Sequence, residues 1–180
     1  APRRTTVTIE HPRTILTRNN SPDINFDRSI NPYRGCEHGC IYCFARPTHA
    51  YLGLSPGLDF ETKLFAKTNA GAALERELAD PAYRPRTIAI GTNTDPYQPV
   101  EREWKVTRSI LEVLAACNHP CAIITKNAMV ERDLDFLAHP LVRCDPQVAI
   151  RLHRCVGVQP GKRLRFGGDR IERLGHGRRR

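Results

Sequence analysis

This 180-residue chain contains the stretch Asn31-Pro-Tyr-Arg-Gly-Cys-Glu-His-Gly-Cys-Ile-Tyr-Cys-Phe-Ala-Arg46. Within it, three cysteines follow the spacing C-x3-C-x2-C: Cys36, Cys40 and Cys43. Three thiolates can ligate three irons of a [4Fe–4S] cluster and leave the fourth iron open to a small molecule. Gly35 and Gly39 lack a Cβ, so the backbone can turn sharply and approach such a cluster closely. The spacing therefore predicts a metal-binding loop whose own ligand set is incomplete.

Two other interpretations of these cysteines exist. They could hold zinc, with His38, His49 or a distant cysteine as the fourth ligand, and the spacing alone does not separate zinc from iron–sulfur. Disulfides are disfavoured, because the total of seven cysteines is odd and nothing in the chain signals export. Tyr42 places an aromatic ring beside the third cysteine, where it could cover a cluster or stack on a bound base. The glycines, the tyrosine and the flanking residues favour the cluster.

With these features the chain resembles the radical S-adenosylmethionine (radical SAM) superfamily, whose signature has this cysteine spacing and an aromatic residue between the second and third cysteines. The longer string, from Asn31 to Arg46, is similar to the branch that includes spore photoproduct lyase. The resemblance implies a [4Fe–4S] cluster and SAM as cofactors, and an external electron donor of the flavodoxin or ferredoxin type. It also implies reductive cleavage of SAM to a 5′-deoxyadenosyl radical. The substrate is not readable, and no catalytic side chain is assigned.

Strand and helix patterns alternate after the cysteine stretch. Apolar runs bounded by turn residues predict strands at 29–33, 60–67, 87–91 and 121–125. Amphipathic patterns predict helices at 70–79, with Asn69 as its N-cap, at 103–117 and at 130–138. Such alternation predicts an α/β fold with parallel strands. The resembled family uses a partial (β/α) barrel of about six units, of which this chain supplies about three or four, so we expect a truncated barrel.

Polar residues follow three of the predicted strands. The cysteine loop, residues 92–95 and Lys126 each come directly after a strand. Because sites form at the carboxyl ends of parallel strands, we expect these segments to face one crevice. From residue patterns alone, residues 92–95 could instead be a turn that caps a helix, and Lys126 a solvated lysine.

The resemblance assigns SAM contacts to this crevice. It implies that Thr92, Asn93 and Thr94 meet the amino group of the methionine moiety, and that Lys126 pairs with its carboxylate. Glu101 could anchor the loop or touch the ligand. Spore photoproduct lyases carry a hydrogen-donating cysteine near this segment, whereas this sequence has Asn93, so the resemblance gives no support for thymine-dimer repair.

The charge is concentrated at one end of the chain. The net charge is +9, yet residues 141–180 alone hold eleven Lys and Arg against three Asp and Glu. We therefore expect an N-terminal arm at 1–28, a core at 29–140 and a basic tail at 141–180. The tail is either a truncated or out-of-frame end or a true nucleic-acid-binding extension. A nucleic-acid partner is possible but is not supported by the nearly neutral core.

The competing class of function is a zinc-binding, basic-tailed nucleic-acid-binding module without catalysis. The polar residues 1–30 contain no secretory h-region, and no apolar run approaches the length of a membrane span. We therefore expect no membrane partner and a reducing cytoplasm, which suits free thiols. Cys117 and Cys121 are expected to be small buried residues rather than ligands.

Overall fold

The computed structural model describes residues 4–24 and 26–137, so the predicted basic tail lies outside the described residues. The fold is α/β with mixed sheets. Its strands are β1 (Thr6–Glu10), β2 (Thr17–Arg18), β3 (Arg28–Ile30), β4 (Tyr33–Arg34), β5 (Lys63–Lys67), β6 (Ile88–Ile90) and β7 (Cys121–Ile123). Its α-helices are α1 (Leu58–Thr62), α2 (Ala70–Leu78), α3 (Glu101–Trp104), α4 (Val106–Ala116) and α5 (Leu134–Leu137). Short 3-10 helices lie at Arg46–Leu52 and Ala128–Asp133.

A four-stranded sheet has the order β2-β3-β6-β7. The pairs β3–β6 and β6–β7 are parallel, which confirms the predicted parallel strands, while β2 pairs antiparallel with β3. All residues of β3, β6 and β7 are buried, as expected of parallel strands that are covered on both faces. The carboxyl ends of these three strands therefore lie side by side.

A second, three-stranded sheet has the order β1-β5-β4. Here β1 is parallel to β5, and β4 is antiparallel to it. The N-terminal segment, predicted as an arm, supplies β1 to this sheet and β2 to the other. Both sheets thus reach the start of the cysteine loop.

The single strand predicted at 29–33 is wrong, because the chain changes sheet within it. Pro32 has no N–H group and cannot continue a ladder of hydrogen bonds. The chain therefore leaves the parallel sheet after Ile30 and joins the other sheet at Tyr33. The carbonyl of Pro32 accepts from the Lys67 amide at 3.1 Å, which ties the crossing point to the end of β5.

Helix α2 is confirmed within one residue, and Asn69 occupies its N-cap position as predicted. The Asn69 side chain makes no capping bond and instead donates to the carbonyl of Pro12 at 3.0 Å. The helix predicted at 103–117 starts two residues earlier and breaks at Lys105, whose φ of 51° is left-handed. The first half of the strand predicted at 60–67 is helix α1, and the helix predicted at 130–138 is divided between a 3-10 turn and α5.

The main core lies between the parallel sheet and the helices α2 and α4, which pack against each other. Its fully buried members are apolar, and include Ile30, Leu74, Ile88, Ile90 and Ile110. Cys121 is buried as predicted, whereas Cys117 is exposed, because it follows the last turn of α4 and lies outside the packed face. Along the residues described, no helix is both long enough and apolar enough to cross a bilayer.

Candidate metal and cofactor site

Asn31 joins the end of β3 to the loop that follows β6. Its side-chain amide donates to the Thr92 hydroxyl at 3.1 Å, and its side-chain oxygen accepts from the Asn93 amide at 2.8 Å. The two segments are 61 positions apart in the chain, yet they meet because their strands are parallel neighbours. The end of β3, which leads into the cysteine loop, therefore lies beside the loop at residues 92–95.

Asp95 joins the same loop to the end of β7. Its carboxylate accepts from the Thr125 hydroxyl and from the Lys126 amide, each at 2.7 Å. The side chain is only 7% exposed, so these bonds are shielded from competing water. Sequence reasoning treated Asp95 as part of a loop or cap and missed this role, because the partners are about 30 positions away.

Lys126 reaches from the end of β7 to the cysteine loop. Its Nζ atom lies 3.3 Å from the Cys40 sulfur, 2.9 Å from the Tyr42 hydroxyl and 4.6 Å from the centre of the Tyr42 ring. The hydrogen bonds to Tyr42 and then to Cys40 raise the pKa of Lys126 above its ordinary value. The lysine therefore brings an ammonium group next to the second cysteine, and the three predicted segments share one crevice.

The cysteine loop follows a path that its glycines make possible. Gly35 has a φ of +75°, and a Cβ there would lie 2.7 Å from Leu64 Cδ2 and 2.9 Å from the Phe60 carbonyl oxygen. Directly after it, the Cys36 amide donates to that same Phe60 carbonyl at 2.8 Å. A side chain at position 35 would therefore push the first cysteine away from its hydrogen-bonding partner.

Arg46 supports the other end of the loop. Its guanidinium donates to the Cys40 carbonyl at 2.9 Å and to the Gly57 carbonyl at 3.1 Å, and it pairs with Glu61. In the sequence, Arg46 stands out only as the last residue of the cysteine motif. The signal that could have found this role is its place three residues after the last cysteine, where a long donor can reach back over the loop.

The segment between the crevice and α3 holds the start of the cysteine loop. The Thr94 hydroxyl donates to the Tyr33 carbonyl at 2.9 Å, and the Gln98 side chain donates to the Gly35 carbonyl at 3.1 Å. The Glu37 side chain in turn accepts from the Val100 amide at 3.1 Å. Gln98 was not singled out from the sequence, because a lone glutamine in a loop carries no pattern.

The three predicted SAM contacts differ in their surroundings. Thr92 shares its hydroxyl with Asn31, and Asn93 is exposed beside it. Thr94 is only 4% exposed and directs its hydroxyl to backbone, so it supports the loop from within.

Glu101 is fully buried. Its carboxylate accepts from the Tyr33 hydroxyl, from the Thr107 amide at 2.9 Å and from Arg132 at 2.8 Å. Of the two roles considered for it, the anchoring role fits these contacts.

The sulfur atoms of the loop are free thiols in different surroundings. Cys36 is 7% exposed, while Cys40 and Cys43 are half-buried. Burial raises the pKa of Cys36 to about 11, although hydrogen bonds from the backbone amides of Asp95 and His38 oppose this. The His38 ring nitrogen Nδ1 lies 3.4 Å from the Cys36 sulfur.

The chemical nature of these hydrogen-bond donors suits an iron–sulfur cluster. Amides directed at Cys36 and an ammonium beside Cys40 both stabilise thiolates, and hydrogen bonds to cysteine sulfur are a means by which proteins tune iron–sulfur clusters. Within residues 4–24 and 26–137, however, no group of three or more Cys, His, Asp or Glu side chains is arranged so that it could hold a metal ion as it stands. Binding would have to draw the thiols together.

Comparison with known proteins finds no matching family model and no matching solved structure. The chain is similar to an uncharacterized protein of Mycobacterium tuberculosis, with 44% identity over 133 residues, which are 74% of this chain and 39% of that protein. An uncharacterized protein of Mycobacterium bovis matches with the same identity and coverage. One from Methanocaldococcus jannaschii is 28% identical over 109 residues, which are 59% of this chain and 38% of that protein. The chain thus spans about two fifths of the length of the curated relatives that it matches.

Proposed function

We propose that this chain is part of a radical SAM enzyme of the spore photoproduct lyase-like type, with a substrate that its residues do not specify. The observation that supports the proposal best is the contact of Lys126 with Cys40 and Tyr42. It joins the three-cysteine loop to the carboxyl end of a parallel sheet, which is where α/β folds bind their ligands. The finer fold proposal is a partial (β/α) barrel, to which β3, β6 and β7 contribute neighbouring strands.

In this proposal Cys36, Cys40 and Cys43 ligate a [4Fe–4S] cluster, and SAM binds beside it. If bound, such a cluster would supply one electron for the reductive cleavage of SAM to methionine and a 5′-deoxyadenosyl radical. An external donor of the flavodoxin or ferredoxin type would replace that electron. The chain itself contributes ligation, orientation and the exclusion of water.

The crevice residues have separate tasks in this scheme. Lys126 offers an ammonium that can pair with a carboxylate. Thr92 and Asn93 offer oxygen atoms that can accept from an ammonium, and Asn31 orients both of them. Asp95 keeps the two loops in register by binding Thr125 and the Lys126 amide. The ligand would therefore be met by positive charge on the β7 side and by neutral acceptors on the β6 side.

Anaerobic reconstitution with iron and sulfide tests the cluster. We expect about four irons per chain and a broad absorption near 400 nm, since a cube is proposed. Cys36→Ala, Cys40→Ala and Cys43→Ala should each abolish this, whereas Cys117→Ala, which changes an exposed cysteine at the end of α4, should not. Full iron content in Cys40→Ala would rule out the proposed ligand set.

The second candidate is a zinc-binding module without catalysis. It is favoured by one contact, the 3.4 Å approach of His38 to the Cys36 sulfur, because Cys and His are the usual ligands of structural zinc. This reading predicts a colourless protein with one zinc per chain, and a loss of zinc in His38→Ala. Under the cluster proposal His38→Ala should keep its iron.

A further inference from the structure

We propose that Gln98 is a positioning residue that fixes Cys36 for cluster binding by holding the backbone on both sides of that cysteine. The inference rests on the proposed function, and it concerns a residue outside the ligand set. Its basis is a pair of hydrogen bonds, one to the residue before Cys36 and one to the residue after it. The Gln98 amide group donates to the carbonyl of Gly35 at 3.1 Å, and its oxygen accepts from the amide of Glu37 at 3.0 Å.

The side chain that makes these two bonds is fully buried, since Gln98 is 0% exposed. The bond to the Gly35 carbonyl is buried, and the bond from the Glu37 amide is part-buried. Removing the Gln98 amide would therefore leave the Gly35 carbonyl without its buried donor and the Glu37 amide without its acceptor. The position of the Gln98 side chain therefore determines the direction of Cys36.

Gln98 is itself held in place by its own segment. Its amide donates to the Asp95 carbonyl at 3.4 Å, and its carbonyl accepts from the Glu101 amide at 2.9 Å. Pro96 and Pro99 flank it and restrict the backbone on both sides. The loop after β6 therefore acts as a support that carries Gln98 to the cysteine loop, and the same loop supplies Thr92 and Asn93.

The chemistry of the position requires an amide side chain. Glutamine offers an NH2 group that donates and a carbonyl oxygen that accepts at this reach, and each of the two groups makes one of the bonds. Gln98→Glu keeps an acceptor for the Glu37 amide but sets a carboxylate against the Gly35 carbonyl. Gln98→Leu has a similar volume and offers neither group. Gln98→Glu therefore removes the bond to Gly35, and Gln98→Leu removes the bonds to both Gly35 and Glu37.

The experiment compares the wild type, Gln98→Glu, Gln98→Leu and the control Asn69→Leu. Asn69 is a partly buried amide whose side chain donates to the Pro12 carbonyl, so Asn69→Leu also removes a side-chain amide, but one that makes no bond to the cysteine loop. Each protein is reconstituted anaerobically, and iron release to a chelator and the electron paramagnetic resonance spectrum of the reduced cluster are recorded. Loss of residues that orient metal ligands lowers metal affinity about 10- to 100-fold, and we expect this for Gln98→Leu, with Gln98→Glu between it and the wild type.

A second measurement uses the protein without iron, so that poor reconstitution cannot hide the result. Peptide-resolved alkylation should label Cys36 faster in both Gln98 variants, since the thiol is no longer held in place, and should be unchanged in Asn69→Leu. Wild-type iron release and wild-type Cys36 labelling in Gln98→Leu would overturn the inference while leaving the cluster proposal intact. A wild-type protein that takes up no iron would overturn both.

Discussion

Replacing Glu101 by alanine tests whether this residue is an anchor of the fold or a ligand contact. The carboxylate is fully buried and serves the Tyr33 hydroxyl, the Thr107 amide and Arg132. Removing one partner of a buried ion pair costs about 3–5 kcal/mol. In the variant, Arg132 would still pair with Asp133 at 2.7 Å. We therefore use the lower end of that range for the loss of the pair between Arg132 and Glu101.

Two further losses add to this cost. The Tyr33 hydroxyl and the Thr107 amide would each lack a buried acceptor, at about 1–3 kcal/mol apiece. Because neighbouring losses are not additive, we expect a total decrease of about 4 kcal/mol in the free energy of unfolding. That is a large part of the 5–15 kcal/mol, roughly, by which a domain of this kind is stable.

Urea unfolding followed by circular dichroism measures the change. Glu103→Ala is the matched control, because it lies two residues later on α3 and is exposed, and we expect it to stay within about 0.5 kcal/mol of the wild type. A decrease of less than about 1 kcal/mol in Glu101→Ala would refute the anchoring role. Weaker SAM binding in a variant of unchanged stability would instead assign Glu101 to the ligand.

Two other predictions concern the crevice, and a third concerns His119, which precedes β7. Gly91→Ala should lower the free energy of unfolding by about 2–4 kcal/mol, because a Cβ there lies 2.4 Å from the Ile124 carbonyl oxygen at a φ of +87°. Gly53→Ala isolates the backbone cost, since its φ is +70° and nothing lies within 4 Å, so equal losses in urea unfolding would disprove the clash. Lys126→Ala should weaken SAM binding by about 1.5–3 kcal/mol in titrations of the reduced protein, and an unchanged affinity would return this lysine to a purely structural role. Burial lowers the pKa of His119 below its ordinary 6.5, so the folded state holds it neutral while the unfolded state takes up a proton. Stability should therefore fall as the pH drops through about 6.5, and a flat urea midpoint between about pH 7.5 and 5.5 would contradict this.

The sequence predicts best where one short segment carries the whole signal. Helix α2 and strands β6 and β7 follow from local composition and periodicity, and the structure confirms them within two residues. The approach of Lys126 to the cysteine loop follows from a single further rule, that parallel strands end on the same side. Each of these needs no knowledge of distant residues.

What the sequence does not predict depends on pairs far apart in the chain. The bond from Gln98 to Gly35 spans 63 positions, and neither residue belongs to a periodic pattern. The break at Lys105 is similar, because this residue has a left-handed backbone with a φ of 51° although it is neither a glycine nor a proline. The change of sheet at Pro32 was visible in principle, since a proline seldom continues a central strand.

That change of sheet has a practical consequence for hydrogen–deuterium exchange. On one side of the crossing, the Gly91 amide donates to the Ile30 carbonyl at 3.1 Å, and on the other the Lys67 amide donates to the Pro32 carbonyl at 3.1 Å. Each amide directly follows or ends a strand next to the change of sheet, and a backbone carbonyl protects it there. Slower exchange at both sites would report a ligand held by the cysteine loop, while slower exchange at Gly91 alone would report one that meets only the loop after β6. The exchange of the peptides that contain Gly91 and Lys67 can therefore show where a molecule has bound before its identity is known.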